Sequence, residues 1–233
     1  MIDRGLLKRV AMPFRRAHGR LAMAVGRASS ADPLCRHFGY TRGTPIDRYY
    51  IERFLHSHRG DIRGHVLEIG NDAYSRRFGG DRIVKRDVLH LRAGEPQATI
   101  AGDLTQPGVL QPATFDCIIL TQTLQFIFDA ASALKQVHEA LRPGGVALIT
   151  VPGITPIDRG EWGDSWYWSF TEHSLNRLLS QSFKPDRIAI STFGNLFAAT
   201  AFLHGAAVEE VTRSKLRRFD QAYPVTVAAR AER

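Results

Sequence analysis

Cysteine is almost missing from this chain. Cys35 and Cys117 are the whole complement and lie far apart, so neither a disulfide framework nor a C-x-x-C metal site can be built from them. A reducing compartment is the expectation. Acidic residues are missing from one region in particular. Residues 1–27 hold Arg4, Lys8, Arg9, Arg15, Arg16, Arg20 and Arg27 against Asp3 alone, and so carry six of the eight net positive charges. The basic balance belongs to a tail, whereas a nucleic-acid-binding body needs a basic face of its own; no nucleic-acid partner is expected. Long apolar runs are also missing. The best of them, residues 193–208, is interrupted by Asn195, His204 and Gly205 and falls short of the roughly 20 apolar residues of a spanning helix. Basic residues at 8, 9, 15, 16 and 20 break up any secretory signal. These absences predict a soluble, cytoplasmic protein. Residues 1–30 read either as a basic amphipathic tail, touching the inner membrane surface or a protein partner through residues 1–27, or as a solvated tail.

Glycine is scarce where it would matter most. The stretch HVLEIGNDAYSRRFGG, residues 65–80, begins like a buried strand entering a nucleotide-binding turn. After Gly70 the next glycines wait until Gly79 and Gly80. A phosphate cradle needs a run of glycines whose backbone N–H groups wrap the anion, and Asp72 would repel it. Phosphate-bearing cofactors are therefore disfavoured, and a nucleoside that carries its own positive charge fits better. Asn71 and Asp72 tolerate tight turns and can supply the hydrogen bonds that glycine flexibility would otherwise replace.

What is present is an alternation of strands and helices. Residues 65–70, 82–89, 98–104, 115–120, 146–151, 187–191 and 224–229 are short, apolar and of strand length. Asp129 and Thr171 stand where helix N-caps belong, ahead of Leu134, Val137 and Leu141 and of Leu175, Leu178 and Leu179. The pattern predicts an α/β, Rossmann-like, doubly wound sheet. A tail over 1–30, a pre-domain cap segment over 31–63 and one domain over 64–233 are expected, with a helical insertion at about 195–220.

Open parallel sheets bind ligands beyond the carboxyl ends of their strands. The residues gathered there are Glu68 and Gly70, Asp87, Asp103 with Leu104, and Thr121 with Gln122. Asp87 stands 17 residues after Gly70, near the spacing at which an acid receives ribose hydroxyls. Asp103 can accept a hydrogen bond from an exocyclic adenine amine, with Leu104 packed on the ring.

The order LEIG, RDV, GDL, FDCIILTQTLQFIFD, LRPGG, LITVPG resembles the class I S-adenosylmethionine-dependent methyltransferases of the type 11 group, over roughly residues 60–190. The resemblance implies a seven-stranded sheet, mostly parallel with an antiparallel last strand, and S-adenosylmethionine as cofactor. It implies that Glu68 and Gly70 face the cofactor, Asp87 its ribose, Asp103 and Leu104 its adenine, and Thr121 and Gln122 its methionine portion, with Asn71 and Asp72 in the turn. The family turn is E-x-G-x-G-x-G. This chain puts Asp72 and Tyr74 at the second and third glycine positions, and Phe126 where a histidine is usual.

The implied reaction is methyl transfer to oxygen or nitrogen of a small-molecule or glycan acceptor. A non-catalytic relative serving as a scaffold is the alternative that the glycine-poor turn raises. Three tryptophans, Trp162, Trp166 and Trp168, crowd one glycine-bearing loop and suit an aromatic wall over an acceptor, or a clasp holding the loop down. His173, Asp158 and Glu161 are the candidate bases, although an acceptor that is already nucleophilic needs alignment more than a base. No metal is expected. Arg42 to Tyr50 forms a polar-aromatic patch, readable as a cofactor-covering helix or as a segment with Thr44 at the N-cap and Pro45 at N1.

Overall fold

The computed structural model describes residues 31–160 and 162–233. The tail over 1–30, including the expected membrane or partner contact through 1–27, and the candidate base Glu161 lie outside the described residues. Two compact units are present. The larger comprises residues 51–153, 159–192 and 226–233, and it carries the sheet.

Seven strands run β1 (Gly64–Ile69), β2 (Ile83–His90), β3 (Ile100–Ala101), β4 (Phe115–Thr121), β5 (Leu141–Pro152), β6 (Ile188–Phe193) and β7 (Thr226–Glu232), in the spatial order β3-β2-β1-β4-β5-β7-β6. The pairs β1–β2, β1–β4, β2–β3 and β4–β5 are parallel, and β7 lies antiparallel to β5. The strand order reverses between β1 and β4. Their carboxyl ends therefore open the crevice in which such sheets take ligands.

Register explains why one row of side chains is apolar and the next is not. Leu67 pairs with Ile118, Ile118 with Ala147 and Ala147 with Ala231. All four join one core with residues of helices α2 (Ala130–Ala140) and α3 (Glu172–Leu179). The caps are where the sequence puts them: Asp129 Oδ1 accepts from Ser132 N at 3.0 Å, and Thr171 and Ser174 cap each other. On the opposite face Glu68 pairs with Ile119 and Ile119 with Leu148. Two residues on, Thr121 pairs with Thr150 and Thr150 with Ala228. That row ends the face in small and polar groups.

β3 is shorter than residues 98–104 suggest. Gly102 adopts φ +155°, and a Cβ there would sit 2.9 Å from Val109. The chain turns away from the ladder at that point.

Among the described residues, the smaller unit comprises 31–50 together with 154–158 and 193–225. It holds the first half of α1 (Ile46–Ser57) and the helices α4 (Leu196–Leu203) and α5 (Arg213–Leu216). Ile46, Tyr50, Ala198, Phe202, Val208 and Leu216 form its own core. Buried Arg42 grips Glu210 with two bonds, of 3.0 and 2.5 Å, and Tyr50 Oη donates to the Leu216 carbonyl. Thr44 serves Glu209, donating from both N and Oγ1 at 2.9 Å, and Pro45 bridges to Ala207 ahead of the helix start. The expected Thr44 cap is thereby replaced by a carboxylate clamp.

Candidate active site at the ends of strands one and four

The turn after β1 is held by side chains. Gly70 has φ +87°, a backbone conformation that L residues resist, and an added Cβ would meet nothing within 4 Å. The space beyond the strand end is open there. Glu68, 2% exposed, points back into the turn. Its Oε1 accepts from Tyr74 N at 3.1 Å and its Oε2 from Ser75 N at 2.7 Å. Burial raises its pKa above the ordinary glutamate value, against the lowering effect of those bonds. Asn71 Oδ1 accepts from Ala73 N, and Asp72 pairs with Arg76 at 2.5 Å. The residues in place of the family glycines thus tie the turn to itself. Tyr74 packs on Phe78, with ring centroids 6.1 Å apart.

Asp87 is not brought to the strand end. It lies beside Leu67 in register, three residues before β2 finishes at His90, or about 10 Å short at the rise of a strand. Its Oδ2 sits 2.6 Å from His65 Nε2 and 3.1 Å from Lys85 Nζ. Burial alone would raise its pKa. The bonds from His65, Thr99 and Lys85 outweigh that and hold the carboxyl below the usual aspartate range. The residue that ends β2, level with Gly70, is His90; its Nδ1 accepts from Arg92 N at 3.2 Å.

Asp103 does stand past β3. One oxygen accepts from Thr105 N and Thr105 Oγ1, both at 2.8 Å, and the other is without a partner among the described residues. Leu104 is buried in the main core.

The end of β4 is strained. Gln122 has φ +48°, a conformation that costs a non-glycine residue about 1–3 kcal/mol and needs surroundings that enforce it. Its N–H donates to the Thr150 carbonyl at 2.8 Å, and its carbonyl accepts from Gln125 Nε2 at 3.0 Å. Buried polar atoms nearby lack hydrogen bonds: Gln122 Nε2, Gln125 Oε1, Thr150 Oγ1 and Thr226 Oγ1. Sequence reading missed Gln125, Thr150 and Thr226, because a lone polar residue within an apolar stretch gives no sign of its partners.

The tryptophan loop is anchored to this strand end. The Gln125 carbonyl accepts from Tyr167 N and Trp168 N, and Trp168 Nε1 donates to the Ile127 and Phe128 carbonyls. Phe126 packs on Trp162 and Trp166 at centroid distances of 5.8 and 5.2 Å, and Arg92 lies over the Trp162 ring. His173 is exposed in the first turn of α3, 3.7 Å from Glu172, and Asp158 is in the smaller unit.

The sheet order places this chain among the doubly wound α/β folds, with the ligand crevice expected at the ends of β1 and β4. A family model described as a methyltransferase domain matches residues 31–186. Solved structures share the fold at low identity. A SAM-dependent methyltransferase from Archaeoglobus fulgidus is 10% identical with TM-score 0.54, over 80% of this chain and 94% of that one. The N-methyltransferase NodS from Bradyrhizobium japonicum, solved with S-adenosyl-L-homocysteine, is 13% identical with TM-score 0.51, over 81% and 88%. An S-adenosylmethionine-dependent methyltransferase from Mesorhizobium loti is 17% identical with TM-score 0.50, over 81% and 98%. No curated protein matches the chain in sequence. The chain belongs to the methyltransferase-domain family, and its fold is shared with S-adenosylmethionine-dependent methyltransferases of known structure.

Proposed function

We propose that the protein transfers a methyl group from S-adenosylmethionine to oxygen or nitrogen of a small-molecule or glycan acceptor. The observation that carries this reading is the pairing of an open glycine turn at Gly70 with a polar end to β4, on the two strands that flank the switch point. The donor set fits the cofactor. Open space beyond Gly70 admits close approach, Asp103 keeps one carboxylate oxygen for an adenine amine, and buried donors and acceptors at Gln122 and Thr150 await partners. No glycine run suited to phosphate accompanies them.

When bound, the cofactor supplies a methyl group activated by its sulfonium. Gly70 and Asn71 line its approach, and Asp103 receives the adenine. His90 takes the ribose end of β2 in place of Asp87, and Thr121 and Gln122 receive the methionine portion. Trp162, Trp166 and Trp168 wall the acceptor side and exclude water. Alignment of acceptor, methyl and sulfur then carries much of the rate. The test is incubation with methyl-labelled S-adenosylmethionine and small-molecule and glycan fractions. Label should pass to an acceptor with wild-type protein and fall at least tenfold with Asp103→Ala. Equal transfer by both proteins would remove Asp103 from the site, and absence of transfer would favour a non-catalytic scaffold.

For location, the reading is a cytoplasmic enzyme brought to the inner membrane surface by residues 1–27. Among the described residues no helix is long and apolar enough to cross a membrane. Deleting residues 1–27 should abolish co-sedimentation with anionic vesicles; unchanged sedimentation would reject the surface role.

A further inference from the structure

We infer that the larger unit carries a second ligand site, at the end of β2 opposite the crevice, and that Arg59, Arg77 and Arg82 bind a phosphoryl group there. The inference does not depend on the proposed methyl transfer. A cavity of about 680 Å³ is lined by these three guanidinium groups together with Phe78, Gly80 and Asp81. Arg59 follows the end of α1, and Arg82 immediately precedes Ile83, where β2 starts. From Ile83 the strand runs on to His90, about 23 Å away at the rise of a strand. The cavity is therefore distinct from the carboxyl ends of the strands.

Each guanidinium is pinned by one nitrogen. Arg59 Nη1 donates to the His56 carbonyl at 3.1 Å, and Arg82 Nη2 donates to the Arg59 and Phe78 carbonyls. Arg77 Nη1 pairs with Glu52 at 2.6 Å, and its guanidinium lies 5.1 Å from the centre of the Phe78 ring. The Nε and the second Nη of all three remain uncommitted among the described residues. Forks fixed on one edge and free on the other suit bidentate capture of phosphate oxygens. Closing the carbonyls at the end of α1 is work for a single cation. It leaves unexplained why three cations share one cavity with Asp81 as its one acid, and why neither Arg59 nor Arg82 has a carboxylate partner among the described residues. Three like charges around one space repel each other, and a ligand bearing about two negative charges relieves that repulsion. A carboxylate brings one charge and two oxygens; a phosphoryl group brings more of both. Gly80 leaves part of the lining as bare backbone, since a Cβ there would meet nothing within 4 Å.

The test uses the full chain, so that residues 1–27 contribute equally to every variant. Calorimetric titration with inorganic phosphate and with glycerol phosphate probes a free ligand, and co-sedimentation with phosphatidylglycerol vesicles probes a lipid headgroup. Arg59→Gln and Arg82→Gln should each weaken binding about tenfold or more, and Arg59→Lys, which keeps the charge and loses the fork, should recover only part of it. Asp81→Asn removes the opposing charge and should tighten binding about threefold or more, a gain that misfolding cannot produce. S-adenosylhomocysteine affinity should be the same in all of these proteins. Either source supports the inference: an effect of the substitutions in the soluble titrations assigns a free phosphoryl ligand, and an effect confined to vesicles assigns the headgroup. Binding that none of the substitutions changes in either arm, or that acetate matches at the same concentration, would overturn it. Competition between phosphate and S-adenosylhomocysteine would also overturn it, by placing the anion in the crevice.

Discussion

The turns after β1 and β4 flank the same crevice and are built on opposite principles. After β1 the chain gives up glycine freedom and replaces it with bonds: Glu68 receives two backbone N–H groups, Asn71 receives one, and Asp72 holds Arg76. Its polar groups are largely spent on the turn. After β4 the chain keeps a glutamine at φ +48° and leaves buried amide and hydroxyl atoms unpaired. Spent groups tie the first turn to itself, and unspent ones leave donors and acceptors at the second. The glycine-poor sequence that looks like damage is a self-tied turn with its one necessary glycine intact.

Breaking the first turn should have the largest effect. Glu68→Ala strands two backbone donors and should cost about 2–4 kcal/mol in urea unfolding. Glu68→Gln separates charge from bonding. Because burial raises the Glu68 pKa in the fold, its contribution is fully present below the ordinary glutamate value and is lost as pH rises through the raised one. The stability of wild type relative to Glu68→Gln should therefore fall with rising pH over that interval; a flat difference would mean that the carboxyl is not buried as described. Gly70→Ala comes next. It should lose about 1–2 kcal/mol to the positive φ and weaken S-adenosylhomocysteine binding by about tenfold or more, since its methyl enters the open space.

Asp87→Asn tests the strand-end correction. It should cost about 1 kcal/mol at neutral pH and leave cofactor affinity unchanged in calorimetry. The Asp87 pKa is lowered in the fold. Its contribution is thus present above the ordinary aspartate value and is lost as pH falls through the lowered one. A large loss of cofactor affinity would return Asp87 to the ribose. The smallest effect belongs to the second turn: Gln122→Gly should gain about 0.5–1 kcal/mol by relieving strain, net of the freedom that glycine adds to the unfolded chain. A loss of stability would mean that the glutamine side chain contributes bonds worth more than the strain.

The sheet was legible because both-face burial writes nearly continuous apolar runs, as in FDCIIL, and because Asp129 and Thr171 mark helix starts by their own chemistry. Glu68, Gly70, Asp103 and Gln122 were legible as residues at the ends of such runs. The place of Asp87 was not legible because the end of β2 is set by hydrogen bonding to β1, which carries the strand past Asp87 to His90. The unpaired atoms of Gln125 and Thr150 could not be read, since an unpaired atom is a property of its surroundings. Nor could the Arg42–Glu210 pair, whose partners lie 168 residues apart.

Calorimetric titration of S-adenosylhomocysteine into the full-length protein tests most directly whether a self-tied turn still receives the nucleoside. The expected result is saturable one-to-one binding that Gly70→Ala weakens and Asp87→Asn does not. Binding by none of the three proteins, or a loss with Asp87→Asn that matches Gly70→Ala, would contradict it.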